Sequence, residues 1–146
     1  MSTGFGKRQI RSMINWAAGK VPADTDAGVW WVSLHTGDPG DDGQTANEAT
    51  GTGYARVATT AATWGVATDA TPSVMSSILA VVFPTAGGDW SAAANQTHFG
   101  LWNSLTLTTE AAYIGRGILT TAAPVLSGQT PNFPVGALRM RGTETA

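Results

Sequence analysis

Asp38, Asp41, Asp42 and Glu48 share one glycine-rich stretch, which reads "WWVSLHTGDPGDDGQTANEATGTGYARVA" from Trp30 to Ala58. Carboxylates so close together are the oxygen donors that a calcium ion selects, but that ion needs six to eight of them. Their spacing is not that of an EF-hand loop. Asp38-Pro39-Gly40 reads first as a turn: Pro presets φ, Gly takes the strained position, and Asp38 can accept from its own backbone. The two histidines, His35 and His98, sit at strand ends beside aromatic residues and are expected to be able to meet in space. With Asp38 they would offer zinc three donors, yet no H-E-x-x-H or H-x-E pattern accompanies them. Each imidazole is expected to satisfy a loop carbonyl instead.

Nucleophilic and phosphate chemistry find less support. No G-x-S-x-G elbow is present, and "LSGQ" around Ser127 reads as a turn. Neither a Walker motif nor G-x-G-x-x-G occurs, and the short "GTG" and "GRG" pairs lack a strand-to-helix context. With no cysteine there is no thiolate nucleophile, thiolate metal site or disulfide framework. The sequence points away from catalysis, and no cofactor or metal is expected.

Charge and aromatic residues suggest contacts instead. Lys7, Arg8, Arg11 and Lys20 make up half of the eight Lys and Arg residues, and the first twenty positions contain no acid. Four charges are too few for affinity to a phosphate backbone at physiological salt, and the pI is about 5.5. Nucleic acid is therefore not an expected partner. A solvated helix face is the commonest use of such residues; a contact with an acidic protein surface is the functional one. Of the six tryptophans, most fall on patterned segments, but Trp90 in "AGGDWSAAANQ" sits in a polar loop and is the best candidate for an exposed contact, although covering a sheet edge is the commoner use of such a residue. The expected partner-contact residues are thus Lys7, Arg8, Arg11, Asp38, Asp41, Asp42 and Trp90.

The elements that must position these residues are mostly strands. Hydrophobic content is 42%, ordinary for a globular chain, while charged residues are only 12% against a usual figure of about 25%. No apolar run reaches the length of a membrane span, and the N-terminus lacks the apolar core of a signal peptide, so folding in a cytoplasm without membrane contact is expected. Ile10, Met13, Ile14 and Ala17 recur at helical spacing, with Arg8, Arg11, Ser12 and Asn15 on the other face and Gly19 as a stop. Beyond it, "VWWVSLH", "YARVATT", "TWGVAT", "VMSSILAVVF", "THFGLWN", "AAYIGRGILTT" and "VGALRMRG" read as strands between Gly/Pro/Asp/Asn loops. The expected fold is mainly β: an antiparallel β-sandwich or barrel-like domain over 23–146, preceded by an N-terminal helical arm over 1–22.

In order along the chain, "WVSLHTGDPG" (31–40), "NE" (47–48), "GYARV" (53–57), Trp64, "FPTA" (83–86), "HFGLWN" (98–103), "GRGIL" (115–119) and "GALRM" (136–140) form a set. Together they resemble small tailed-bacteriophage virion proteins, often labelled tail fibre proteins. The resemblance implies a β-sandwich-like virion component, assembled in the host bacterial cytoplasm, with no cofactor and no catalytic residues to transfer. It leaves head and tail open. Because no repetitive shaft is evident, the first expectation is a capsid decoration or cement protein. It would bind the major capsid protein or other virion proteins, in symmetric copies such as a trimer. The alternative is a tail fibre or tail-tip knob that binds a host receptor or glycan.

Overall fold

A computed structural model describes residues 4–20, 29–70 and 72–142. In chain order the elements are β1 (Gly4–Phe5), α1 (Lys7–Ala17), β2 (Val29–His35), β3 (Val57–Thr60), β4 (Ser73–Ser76), β5 (Val81–Val82), β6 (Gln96–Trp102), β7 (Tyr113–Ala123), β8 (Asn132–Phe133) and β9 (Arg139–Gly142). Five strands form one sheet in the order β1-β7-β6-β2-β3, and two ribbons, β4-β9 and β5-β8, complete the set. Every pairing is antiparallel. The mainly β architecture with one N-terminal helix is the one expected.

The period-2 pattern of the two central strands sorts their side chains to opposite faces. Val32 pairs with Leu101 and Leu34 with Phe99, while Ser33 pairs with Gly100 and His35 with His98. The first face meets the ribbons. Val32, Leu34, Phe99, Leu101 and Ile114 from the sheet bury against Val81, Phe83, Leu138 and Met140. Along β9 and the residue before it, Leu138 and Met140 turn inward while Arg139 and Arg141 stay outside, as their alternation predicts. The second face is buried too, so β2 is not the half-exposed strand its sequence suggests: Ser33 and His35 are both fully covered.

Three expectations change. "VMSSILAVVF" is not one strand, because the chain leaves β9 at Ser77, whose N–H donates to Leu138 O at 2.9 Å. It then bridges Trp64, and the next two apolar residues, Ile78 and Leu79, are half-exposed. "TWGVAT" forms no strand: after a 3-10 turn at Ala61–Thr63 it makes an isolated bridge at Trp64 and donates from Gly65 N–H to Ser76 O and from Thr68 N–H to Val74 O.

The third change is the helix. Its apolar residues do not face the core: Ile10, Met13 and Ile14 are exposed, and Trp16 is 73% exposed. Arg8, expected on the solvent face, is 2% exposed. The ribbons already close the core, so α1 lies outside it, tied down by its first turn. Gly6 N–H donates to Ile114 O at 2.7 Å and Lys7 N–H to Asp41 O at 3.2 Å. These bonds serve in place of a side-chain cap, which Gly6 cannot provide. At the other end Gly19 takes φ +72° and closes the helix, as its position predicts.

Candidate interaction surface

The acidic stretch leaves β2 and folds back as a roof over the second face of the sheet. Its first turn is the expected one, with Gly40 N–H donating to Asp38 Oδ1 at 2.8 Å. Gly43, at φ +72°, lies so close to the Tyr113 ring that a Cβ there would overlap it. The return is stitched to the strand by Thr36 N–H to Asn47 O and Ala49 N–H to Leu34 O, both 2.8 Å. Tyr54 then anchors the end of the loop: its hydroxyl accepts from Leu34 N–H at 3.2 Å and donates to Glu48 Oε1 at 3.1 Å.

Each carboxylate of the roof meets a cation from another element. Arg116 of β7, itself buried, reaches Asp41 Oδ1 with Nη1 at 2.7 Å. Its Nε lies 2.6 Å from Asp38 Oδ1, an ionic contact off the hydrogen-bonding axis. Lys7 of α1 pairs with Asp42 at 2.8 Å between two exposed side chains. Arg56 donates from Nε and Nη2 to the two oxygens of Glu48, both at 2.7 Å. It also donates from Nη1 to Ser104 O and Leu107 O. The Arg56–Glu48 pair is therefore a covered one. Among the described residues no group of three or more His, Asp or Glu is placed to hold a metal ion.

Beneath the roof lies a polar layer. Trp102 Nε1–H donates to Ser33 Oγ at 2.7 Å, and Ser33 Oγ lies 2.7 Å from His35 Nε2. The indole takes one of the two lone pairs of the serine oxygen, and the imidazole tautomer sets the direction of the Ser33–His35 bond. A serine–histidine pair at this distance has the geometry of a nucleophile and its base. Both residues are 0% exposed, however, and the indole N–H occupies the serine oxygen. The trio braces β2 against β6. Burial is the main reason that the His35 pKa falls to about 4. Burial also lowers that of His98, whose Nδ1 lies 2.8 Å from the Thr97 hydroxyl. The two histidines do meet across the strands, but these contacts are with hydroxyls, not the expected loop carbonyls.

Residues 9–141 match the family model described as Podophage GP4 fiber I protein gp80. The chain belongs to this family. It is a bacteriophage virion structural protein of the tail fibre type. No curated protein matches the sequence.

The family span covers α1 from Gln9 onward, every strand from β2 to β8, and β9 as far as Arg141, so it takes in the roof and all of the sheet except β1. Of the residues singled out in the sequence, Lys7, Asp38, Asp41 and Asp42 come together around the roof, with the first two acids joined through Arg116. Arg11 is exposed on α1 and stands apart. Arg8 is buried beneath the helix.

Trp90 does not reach the surface. It is 0% exposed, donates from Nε1 to Thr52 O at 3.2 Å, and packs edge-on against Tyr54 with centroids 5.1 Å apart. The "AGGDW" loop looks polar because it is a lid whose one large apolar residue plugs the core. Sequence reasoning passed over Arg116, the residue that organises the roof. The alternation of β7 could have found it, since Arg116 falls opposite Gly100 on the roofed face.

Proposed function

We propose that this protein is a structural component of the phage tail fibre assembly, held on the particle by protein–protein contacts and acting without catalysis or cofactor. The observation that carries this reading is the match to a fibre protein family over 9–141. That match favours the tail over attachment to the capsid. In this reading the contact surface is the outer face of α1, where Ile10, Met13, Ile14 and Trp16 are exposed beside Lys7 and Arg11. Clustered apolar residues with a charged border suit a protein partner. Its occupant is another virion protein, and the unit acts in symmetric copies such as a trimer.

The roof has a different part in this proposal. Its carboxylates are engaged by Arg116, Lys7 and Arg56, so it stiffens the domain more than it offers free charge. Immunogold labelling of intact particles tests the placement. Gold confined to the tail is expected; gold spread over the heads would overturn it in favour of capsid decoration.

A further inference from the structure

β8 belongs to a two-stranded ribbon, so it has a strand partner on one side only. Toward that partner turn Pro131, whose O accepts from Phe83 N–H at 2.9 Å, and Gln129, whose O accepts from Ala86 N–H at 2.8 Å. Phe133 lies opposite Val81 in the same register. Backbone groups alternate along a paired strand, so the N–H and C=O of Thr130 and Asn132 turn to the other side. That side opens on a cavity of about 430 Å³ whose opposite wall is Leu119, Thr121 and Ala123 of β7. The end of β7 has itself left the ladder. Between the pairs His98 with Ile118 and Gln96 with Ala123, Thr97 alone stands opposite the four residues 119–122. A bulge of this kind leaves its extra residues unpaired.

An open strand edge is a template for another strand, and folded proteins guard it with charge or proline. Neither guard acts here. Residues 117–138 contain no Asp, Glu, Lys or Arg. Pro131 lies on this edge, but its missing N–H falls on the side already paired with Phe83. A chain seated between the two walls would give the N–H and C=O groups of Thr130 and Asn132 their partners, in the manner of strand addition. Its alternate side chains would enter the cavity over Leu119 and Phe133. A charged side chain there would lose its hydration with no counter-charge to replace it. The segment that fits is therefore extended, uncharged and apolar at alternate positions.

We propose that the groove between β7 and β8 is a strand-addition site for such a segment of another virion protein. The proposal goes beyond the α1 contact and uses only the chain's place in a virion, so a tail partner and a head partner fit it equally.

The test places the photocrosslinking residue p-benzoylphenylalanine at Thr120, which is exposed but does not line the cavity, so the groove stays open. Particles carrying this variant are irradiated, and the crosslinked peptides are identified by mass spectrometry. A crosslink to an uncharged stretch of another virion protein is expected. Asn132→Pro then removes one N–H on the free side and leaves the bonds to β5 in place, so its melting temperature should stay near that of the parent. In particles it should lower the crosslinked fraction about fivefold, the loss of one well-made hydrogen bond. Asn132→Ser, which keeps the N–H, should crosslink as the parent does. Absence of a crosslink in particles that contain the variant would overturn the proposal. So would a crosslink to a charged segment, to a second copy or within the same chain, or equal crosslinking in Asn132→Pro and the parent.

Discussion

The guanidinium of Arg56 lies 4.0 Å from the centroid of the Trp102 ring. This contact joins the roof to the polar layer, because the same guanidinium holds Glu48 with two nitrogens and the same indole holds Ser33. The Arg56 and Glu48 side chains are 4% and 13% exposed, so the pair is withdrawn from water. Removing one partner of such a pair strands the other. Arg56→Ala is expected to cost about 3–5 kcal/mol in urea unfolding. Arg56→Lys should recover only part of this, since an ammonium cannot bridge both carboxylate oxygens or spread over the ring. Equal stability of Arg56→Lys and the parent would show that the fork geometry is unimportant.

Gly100 governs the other side of the same network. A Cβ on it would lie 2.6 Å from Ser33 Oγ, 2.9 Å from His35 Nε2 and 3.0 Å from Trp102 Nε1. Gly100→Ala therefore drives a methyl group into three hydrogen-bonding atoms at once. A loss of about 2–3 kcal/mol is expected, together with a change in the near-ultraviolet circular dichroism of the tryptophans. Retention of both the stability and the spectrum would mean that the trio has room to shift.

These relationships explain what was legible in the sequence. Alternation orients β9 correctly from Leu138, Arg139, Met140 and Arg141 alone, because that strand has one wet face. It misleads in β2 and β6, where the roof makes both faces dry and Ser33, His35 and His98 are as buried as Leu34. Helical periodicity locates α1 but inverts its burial, because periodicity says that a face is apolar and not what will cover it. Trp90 fails for a related reason: a loop of Gly, Asp, Ala and Ser looks exposed even when its one indole is the plug. The Asp38–Gly40 turn, which depends on local chemistry, is read without the fold.

The buried imidazoles tie stability to pH. His35 has its pKa lowered from 6.5 to about 4, with desolvation as the main cause. Below pH 6.5 the unfolded chain takes up a proton that the folded chain refuses. Stability from this residue is therefore full above that pH, declines as pH falls, and stops declining near pH 4. The whole window corresponds to about 3 kcal/mol, and the lowered pKa of His98 acts in the same sense. Urea unfolding at about pH 7 and about pH 4.5 should show the loss, with a smaller one in His35→Gln. An equal loss in parent and variant would remove His35 as its source.

The outer face of α1 separates folding from assembly. Trp16 is 73% exposed and Ile14 63%, so truncating them removes little buried surface. Trp16→Ala with Ile14→Ala is expected to change unfolding stability by no more than about 0.5 kcal/mol per residue. Incorporation of the double variant into purified particles should nonetheless fall sharply, because the apolar contact would be gone. Arg8→Glu provides the contrast: it puts an acid where a buried guanidinium belongs and should destabilise the domain before assembly begins. Lys7→Ala, which breaks only an exposed pair with Asp42, should leave the unfolding stability close to that of the parent. If the double variant enters particles at the parental level, α1 is not the contact. The exposed Ile78 and Leu79 between β4 and β5 would then be the next apolar surface to truncate.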